Sequence, residues 1–432
     1  MFLSVPPMAS TSIIFIVLSI TFAGGRPQPK QSSLINLGTL TCPTSWLSPS
    51  SQFAFGFYQQ GRSFAVGVWF GGKDKTTVDW TANSDDPAVT SKSMLDFTRD
   101  GKILLRTEQG QKQLIVTSAT DPVSYAVMLD TGNFVLYDKD SKIIWQSFDY
   151  PTDTILGGQT LFTGGQLFSS LTQSDHLTGQ FHLKMQPDGN LVLYPVTSED
   201  TPADAYWYTT TFGNGFKFNL YLNDAGRLMI INDSSLESFH TIYTNSDSYS
   251  SGINFYNNDD NTIYRATLDV DGVFRLYSHT YHENGNYHVS RLWSALSSSC
   301  IVNGFCGFNS FCTQHNNQSD CRCLPGHDFV DPNQRSLGCQ RNFSKAGCRR
   351  GKENVASYNI STMKHMTWGH TPCFAASMSR EECSWSCLED CNCGAALFSS
   401  NYCQKQKLPV RYVRRDKGGY TAFLKIGHKG FL

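Results

Sequence analysis

A row of hydrogen-bonding side chains occupies alternate positions between residues 186 and 194. On a β-strand, alternate residues share one face of the sheet. The row contains two amides, a carboxylate, a small apolar side chain and a phenol: Gln186, Asp188, Asn190, Val192 and Tyr194. The opposite face carries Leu191 and Leu193 and belongs in a core. Such a row suits a ligand built from vicinal hydroxyls, with the valine covering an apolar patch of a sugar ring. The sequence therefore predicts a sugar site on this strand.

The alternative for residues 186–194 is a surface strand whose polar face is simply solvated. Asp188-Gly189 is a strong turn signal, and a strand after such a turn needs no ligand to explain its polar face. However, the spacing Q-x-D-x-N-x-V-x-Y resembles, residue for residue, the mannose site of the bulb-type lectins. The resemblance implies that this strand binds mannose-type glycans.

A second copy of the row, at residues 130–137, is incomplete. Asn133, Val135 and Tyr137 are preserved and are weaker candidates for sugar contact. Asp130 is displaced by one residue, which places it on the opposite face of a regular strand. One intact row per chain predicts weak monovalent binding, because a shallow polar groove gains little over water. Useful avidity would require clustering.

The elements that carry these rows form a repeat. An Asp-Gly turn, or a looser version of it, precedes an apolar strand at residues 100, 130, 188, 224 and 271. Asp-Gly before a β-branched or aromatic run is a hairpin signal, and residues 45–293 show no long helical period. We expect a mostly β fold made of pseudo-symmetric sheets. The spacing fits two tandem lectin-like domains, at 34–160 and 161–295.

The overall charge argues against polyanionic partners. The 432 residues contain 35 Lys and Arg against 36 Asp and Glu, and only 16% of residues are charged. No excess of positive charge is present to attract nucleic acid or an acidic membrane.

Secretion is predicted from the N-terminus and the cysteines. The apolar run at 13–23 is too short to span a bilayer and precedes small residues, so residues 1–25 are expected to be a signal peptide. No later stretch predicts a membrane span. Thirteen of the 14 cysteines follow residue 299, which indicates disulfides formed in an oxidising compartment. Four N-glycosylation sequons agree with an extracellular location: Asn232, Asn317, Asn342 and Asn359.

One segment between the two predicted domains is specific to a family. Residues 145–156 (WQSFDYPTDTIL) resemble the hallmark of the plant S-domain proteins, which are the S-locus glycoproteins and the G-type lectin receptor-like kinases. The resemblance extends to residues 46–57 (WLSPSSQFAFGF) and covers essentially the whole mature chain. It implies tandem bulb-lectin β-prism domains and a role in cell-surface perception or defence signalling.

The first cysteine-rich segment, at 296–340, looks like an EGF-like module. Six cysteines allow fifteen connectivities from sequence alone. The resemblance implies the pairs 300–312, 306–321 and 323–339. Its cysteines are Cys300, Cys306, Cys312, Cys321, Cys323 and Cys339. The segment before Cys300 is Ser297-Ser298-Ser299 and lacks acidic ligands, so no calcium site is predicted. Zinc is the less favoured alternative, because the spacing lacks paired knuckles.

The second cysteine-rich segment, at 345–428, resembles the PAN/apple domain of the same receptors. The C-x3-C-x3-C spacing from Cys383 to Cys391 places three cysteines on one helical face, and Ser379 with Glu382 forms a capping box. The disulfide candidates here are Cys383, Cys387, Cys391, Cys393 and Cys403, with Cys403 as the expected later partner. The pairing of Cys42, Cys348 and Cys373 stays open. The resemblance implies protein contacts, either with a second copy or with a full-length receptor kinase.

No catalytic pattern is present in the sequence. It lacks a Gly-rich phosphate loop, H-R-D, D-F-G, G-x-S-x-G and H-E-x-x-H. We predict no enzyme activity, no cofactor and no metal. The expected function is extracellular glycan recognition, by a secreted form, a decoy or a truncated receptor. The alternative is a protein-binding ectodomain whose lectin face is vestigial.

Overall fold

The computed structural model of the chain describes eleven ranges: residues 34–36, 45–72, 75–98, 101–116, 123–213, 217–244, 262–282, 287–316, 318–343, 355–369 and 372–428. The predicted signal peptide, Cys42, Cys348 and the sequon at Asn317 lie outside the described residues.

Three antiparallel sheets surround the first hydrophobic core. Their strand orders are β2-β3-β4-β5, β1-β6-β7-β8 and β11-β10-β9. The strands are β1 (Leu34–Asn36), β2 (Ser45–Leu47), β3 (Phe53–Gln60), β4 (Ser63–Gly72), β5 (Lys75–Thr81), β6 (Met94–Phe97), β7 (Ile103–Arg106), β8 (Lys112–Val116), β9 (Tyr125–Met128), β10 (Phe134–Tyr137) and β11 (Ile143–Gln146). Aromatic rings fill the centre, where Phe55 stacks on Phe134 at 3.7 Å and Trp46 packs beside both. We call residues 45–146 the first prism.

Three four-stranded sheets surround the second core. Their orders are β12-β21-β22-β23, β13-β18-β19-β20 and β14-β15-β16-β17. The strands are β12 (Thr154–Leu156), β13 (Gln159–Leu161), β14 (Gln166–Thr172), β15 (Asp175–Met185), β16 (Leu191–Pro195), β17 (Trp207–Tyr208), β18 (Phe218–Leu222), β19 (Leu228–Asn232), β20 (Ser238–Tyr243), β21 (Thr262–Leu268), β22 (Phe274–Tyr281) and β23 (Tyr287–Ser294). Leucine dominates this core. We call residues 154–294 the second prism.

The Asp-Gly repeat accounts for the symmetry. Its strands are β7, β10, β16, β19 and β22, and each is an inner strand of a different sheet. The glycine before each strand has a positive φ: Gly101, Gly132, Gly189, Gly226 and Gly272. A turn with a left-handed backbone conformation, which residues other than glycine rarely adopt, therefore precedes the inner strand in five of the six prism sheets.

Two short strands connect the end of the first prism to the second. β12 and β13 occupy residues 154–161 and pair with β21 and β18 of the second prism, respectively. β12 lies between the two cores, because Ile155 faces the second and Leu156 faces the first. Successive side chains of this one strand thus point into different cores. The spacing of the repeat in the sequence could not show this.

The two cysteine-rich segments share one sheet. Its order is β25-β24-β32-β28-β33-β30-β31-β29, and a separate pair joins β26 to β27. The strands are β24 (Ser310–His315), β25 (Gln318–Cys323), β26 (His327–Phe329), β27 (Cys339–Arg341), β28 (Tyr358–Trp368), β29 (Phe374–Ser377), β30 (Ala395–Ser399), β31 (Tyr402–Gln406), β32 (Val413–Arg415) and β33 (Tyr420–Gly427). The parallel pairing of Phe311 with Val413 connects the two segments.

Five disulfides are defined within the described residues. The pairs 300–312, 306–321 and 323–339 are the ones that the EGF-like resemblance implies. The second segment has the pairs 383–403 and 387–393. Cys391 is also disulfide-bonded. Cys373 is a free, exposed thiol.

The predicted helix is present as α1 (Arg380–Glu389), and Ser379 with Glu382 forms the predicted capping box. Cys383 and Cys387 lie buried on one face of α1. The helix ends before Cys391, so the expectation of three cysteines on one helical face is wrong. Asp390 is the C-cap, and Cys391 lies in the turn that follows it.

Candidate functional site

The turn before β16 places the predicted polar row. Gln186 N–H donates to Asn190 O at 2.8 Å, and Gly189 N–H donates to Gln186 O at 3.0 Å. Leu191 and Leu193 then enter the second core. The alternate residues, including Val192, consequently occupy the other face of the sheet, as the sequence predicts.

Asn190 is held by its side-chain oxygen. Its Oδ1 accepts from Thr209 Oγ1 at 3.1 Å and from Thr211 N–H at 3.3 Å. Its own N–H donates to Asp188 Oδ1 at 3.0 Å. With its oxygen engaged, Asn190 Nδ2 has no defined hydrogen-bond partner among the described residues. Asn190 itself is 8% exposed, and the Asp188 carboxylate two positions earlier is exposed. A donor and an acceptor side by side match two neighbouring sugar hydroxyls.

Gln186 and Tyr194, the first and last residues of the row, contact each other through their side chains. Gln186 Nε2 donates to the Tyr194 hydroxyl at 3.0 Å. Burial raises the pKa of Tyr194 above its usual range, and the bond from Gln186 only partly opposes this. The phenol therefore stays protonated and keeps its O–H as a donor.

The apolar part of the row is more covered than the sequence suggests. Val192 is 2% exposed and Tyr194 is 3% exposed. Lys184 and His182 of β15 stand opposite them in register. Asp200 connects these neighbours, with its carboxylate oxygens 2.7 Å from Lys184 Nζ and 3.0 Å from His182 Nε2. The accessible end of the row is consequently the Gln186–Asp188 end.

Sequence reasoning missed an aromatic residue beside the row. Tyr208 of β17 is paired directly with Val192, and directly opposed residues project from the same face of a sheet. Tyr208 is 52% exposed. A sugar ring placed over Asp188 and Asn190 would find this phenol on the β17 side. The signal was absent from the sequence, because β17 is only two residues long and follows an irregular connection.

The side chains of the incomplete row at residues 130–137 make contacts within the protein. Asn133 Nδ2 donates to Gln146 Oε1 at 2.9 Å, while its Oδ1 accepts from Ser147 Oγ and Phe148 N–H, both at 3.3 Å. Val135 is fully buried. Tyr137 stacks on the ring of another tyrosine. Both ends of the Asn133 amide are thus engaged, and they fix the turn that begins the 145–156 segment.

The described sequons differ in their surroundings. Asn359 is exposed. Asn232 Oδ1 accepts from Ser234 N–H at 2.9 Å, and Asn342 Nδ2 donates to Asp328 Oδ1 at 3.1 Å. Among the described residues, no group of three or more His, Cys, Asp or Glu side chains is placed to hold a metal ion.

Solved lectins resemble part of the chain. A monomeric monocot mannose-binding lectin from Gastrodia elata is 22% identical, with 33% of this chain and 96% of that chain covered at a TM-score of 0.22. The mannose-specific agglutinin of snowdrop (Galanthus nivalis), complexed with methyl-α-D-mannoside, is 23% identical over 32% and 88% of the two chains, at a TM-score of 0.19.

Two protein families match the sequence. The D-mannose binding lectin family matches residues 77–176, and the S-locus glycoprotein domain matches residues 223–331. The G-type lectin S-receptor-like serine/threonine-protein kinase LECRK1 of Oryza sativa is 33% identical over 91% of this chain. The chain belongs to the plant S-domain, or G-type lectin receptor, family. The Arabidopsis thaliana relative RLK1 is 27% identical over 96% of the chain.

This S-domain chain spans about half the length of the curated relatives it matches, 51% of LECRK1. Neither matched family is a kinase domain. In the described part of the chain, no helix combines the length and apolar character needed to cross a bilayer. The intact row at 186–194 lies between the two matched ranges, whereas the incomplete copy at 130–137 lies within the lectin match.

Proposed function

We propose that this chain recognises carbohydrate outside the cell, and that residues 186–194 bind a mannose-type sugar. The observation that carries the proposal is the orientation of Asn190. Thr209 and Thr211 occupy its oxygen, so its nitrogen is the group left to donate to a sugar hydroxyl, in the same row as the exposed Asp188 carboxylate. The lectin and S-locus families matched by the chain support the same function.

The binding geometry follows from the free hydrogen-bonding groups. One sugar hydroxyl donates to Asp188 and its neighbour accepts from Asn190 Nδ2. The Gln186 amide oxygen extends the row to a third position, and the buried Tyr194 hydroxyl accepts from Gln186 Nε2 and so orients that amide. Tyr208 supplies apolar contact for the ring. Because the site is shallow, we expect an affinity for a single sugar of about 1 mM, and avidity from clustered chains.

The role in the organism is a further part of the proposal. The G-type lectin relatives are described as receptor-like kinases, and we propose that this chain serves cell-surface perception, including defence signalling. The cysteine-rich segments are proposed to be EGF-like and PAN modules. The PAN segment would contact a second copy of the chain or a full-length receptor kinase.

Glycan-array binding with two substitutions tests the sugar site. Asp188→Ala removes the exposed acceptor. Asn190→Asp keeps the oxygen that accepts from Thr209 and Thr211 but replaces the donor, so the turn should still fold. We expect each variant to lose at least about tenfold in affinity for mannose-type glycans.

The matched control is Asp224→Ala. Asp224 is an exposed carboxylate in the corresponding turn of the neighbouring sheet, before β19, and it should leave binding unchanged. Wild-type protein that binds no mannose-type glycan, or variants that bind as well as wild type, would refute the proposal.

The coverage of Val192 and Tyr194 favours a second candidate. A lectin face closed by Lys184 and Asp200 would be a remnant, and the chain would then act as a protein-binding ectodomain. In that case the array is blank for wild type and for all three variants, while binding to a protein partner is insensitive to Asp188→Ala.

A further inference from the structure

A pocket of about 130 Å³ lies where the two cysteine-rich segments meet. It is separate from the row at 186–194. Arg341 and Phe343 directly follow the first segment, and Tyr358, Lys407 and Lys425 come from the second. The turn at residues 391–394 and Leu408 complete the wall.

The charge of the pocket is entirely positive. Its lining contains three cations, Arg341, Lys407 and Lys425, and no carboxylate. The acid nearest in sequence to the turn is Asp390, whose Oδ2 accepts from Lys405 Nζ at 3.1 Å. Partial burial opposes ionisation of Asp390, but hydrogen bonds from Asn392 N–H and Lys405 hold its pKa below the usual range. Asp390 is therefore paired with Lys405, which does not line the pocket, and also interacts electrostatically with Lys425, which does.

Two aromatic rings form the apolar part of the wall. The rings of Phe343 and Tyr358 meet edge to face, with centroids 6.3 Å apart. Each ring carries a cation near its face: Arg341 Cζ is 5.3 Å from the Phe343 centroid, and Lys425 Nζ is 5.3 Å from that of Tyr358. Lys425 Nζ also donates to Asp390 O at 2.7 Å, which fixes its position. The pocket is thus built by packed side chains.

We propose that this pocket binds a hexuronate, a sugar ring that carries a carboxylate. The cations receive the carboxylate, the two rings pack on the C–H face of the sugar, and Asn392 with the polar groups of the 391–394 turn serves the hydroxyls. The volume, equal to about four water molecules, admits the carboxylate and part of one ring. Asn342, a predicted glycosylation position, directs its amide to Asp328 and does not line the pocket.

Ligand-observed NMR titration of the full chain with galacturonic acid tests the proposal. We expect binding at about 1 mM that weakens as salt is added. Lys407→Ala and Arg341→Ala should each weaken it at least about tenfold. Both side chains are exposed, so both variants should melt at the wild-type temperature. Lys417→Ala, an exposed lysine in a turn outside the pocket lining, is the control and should bind as wild type does.

Two further ligands decide the chemical class. Galactose lacks the carboxylate and benzoate lacks the hydroxyls, so both should bind at least about tenfold more weakly than galacturonate. Equal binding of either ligand, no binding of galacturonate, or insensitivity to Lys407→Ala overturns the proposal. Asp188→Ala must retain galacturonate binding, which separates this pocket from the proposed mannose site.

Discussion

Asn190 and Asn133 occupy equivalent turns but have different tasks. In each, the side-chain oxygen accepts from a hydroxyl and a backbone N–H of a neighbouring connection. Asn133 Nδ2 donates to Gln146 Oε1, whereas Asn190 Nδ2 has no defined partner among the described residues. The asparagine of this repeat is thus first a structural residue that orders a turn. Sugar binding requires that the side-chain nitrogen has no partner within the protein. A motif match alone does not show whether it has one.

At the scale of one residue, we predict that Tyr208 contributes to sugar affinity. Its exposed ring flanks Val192 on the proposed sugar face, so Tyr208→Ala should reduce affinity for mannose-type glycans about threefold to tenfold through lost ring contact. Tyr208→Phe should retain most of the affinity. The measurement is calorimetric or NMR titration with a mannoside. Tyr402→Ala, an equally exposed tyrosine in the cysteine-rich sheet, is the control, and a loss there as large as at Tyr208 would contradict the assignment.

At the scale of elements, the sequence predicted those features that depend on residues close together in the chain. The five turns, the face of β16 and the capping box of α1 depend on residues within a few positions of one another. The placement of β12 in the second prism and the parallel pairing of β24 with β32 depend on segments about 100 residues apart. No local pattern encodes such pairings. The ion pairs of Asp200 with Lys184 and His182 were missed for a different reason. Asp200 follows β16 in an irregular connection, where no strand period shows which way a side chain points.

We predict that the turn before β16 depends on glycine at position 189 for its stability. Its φ is +92°, and a Cβ there would lie 2.6 Å from the Phe218 ring. Gly189→Ala therefore adds a core clash to backbone strain and should cost about 2–4 kcal/mol of unfolding free energy. Gly164 also has a positive φ, +86°, but nothing lies within 4 Å of its Cβ position, so Gly164→Ala should cost only about 1–2 kcal/mol.

Denaturant unfolding of the two glycine variants separates clash from strain. Equal costs would show that the Phe218 contact relaxes freely. A variant at Gly189 that is stable yet fails to bind mannose-type glycans would show that the turn serves orientation more than stability.

At the scale of the whole molecule, a buried polar cluster joins the two prisms. Asp79 of β5 is buried, and neither of its carboxylate oxygens has a hydrogen-bond partner. Arg265 of the second prism donates instead to His279 Nε2 and Thr267 Oγ1. Asp153 accepts from Ser170 Oγ at 2.7 Å. Burial raises the pKa of Asp79 well above its usual range, opposed by Arg265 and reinforced by Asp153.

The raised pKa of Asp79 predicts how stability depends on pH. Below the carboxyl pKa of the unfolded chain, both states hold the proton and this group makes stability independent of pH. Above it, the unfolded state loses the proton while folded Asp79 keeps it, so the free energy of unfolding falls as pH rises, until the folded pKa is passed. One proton gives a slope of at most about 1.4 kcal/mol per pH unit.

Asp79→Asn removes that proton and tests the argument. The free energy of unfolding of the variant, minus that of wild type, should become more positive between about pH 4 and pH 7, as followed by urea titration. Asp140→Asn, at an exposed turn of the first prism, should show no such trend. A difference that stays constant with pH would mean that folded Asp79 is already ionised. Arg265 would then be the partner of a charged Asp79, and removing either residue would lower the free energy of unfolding.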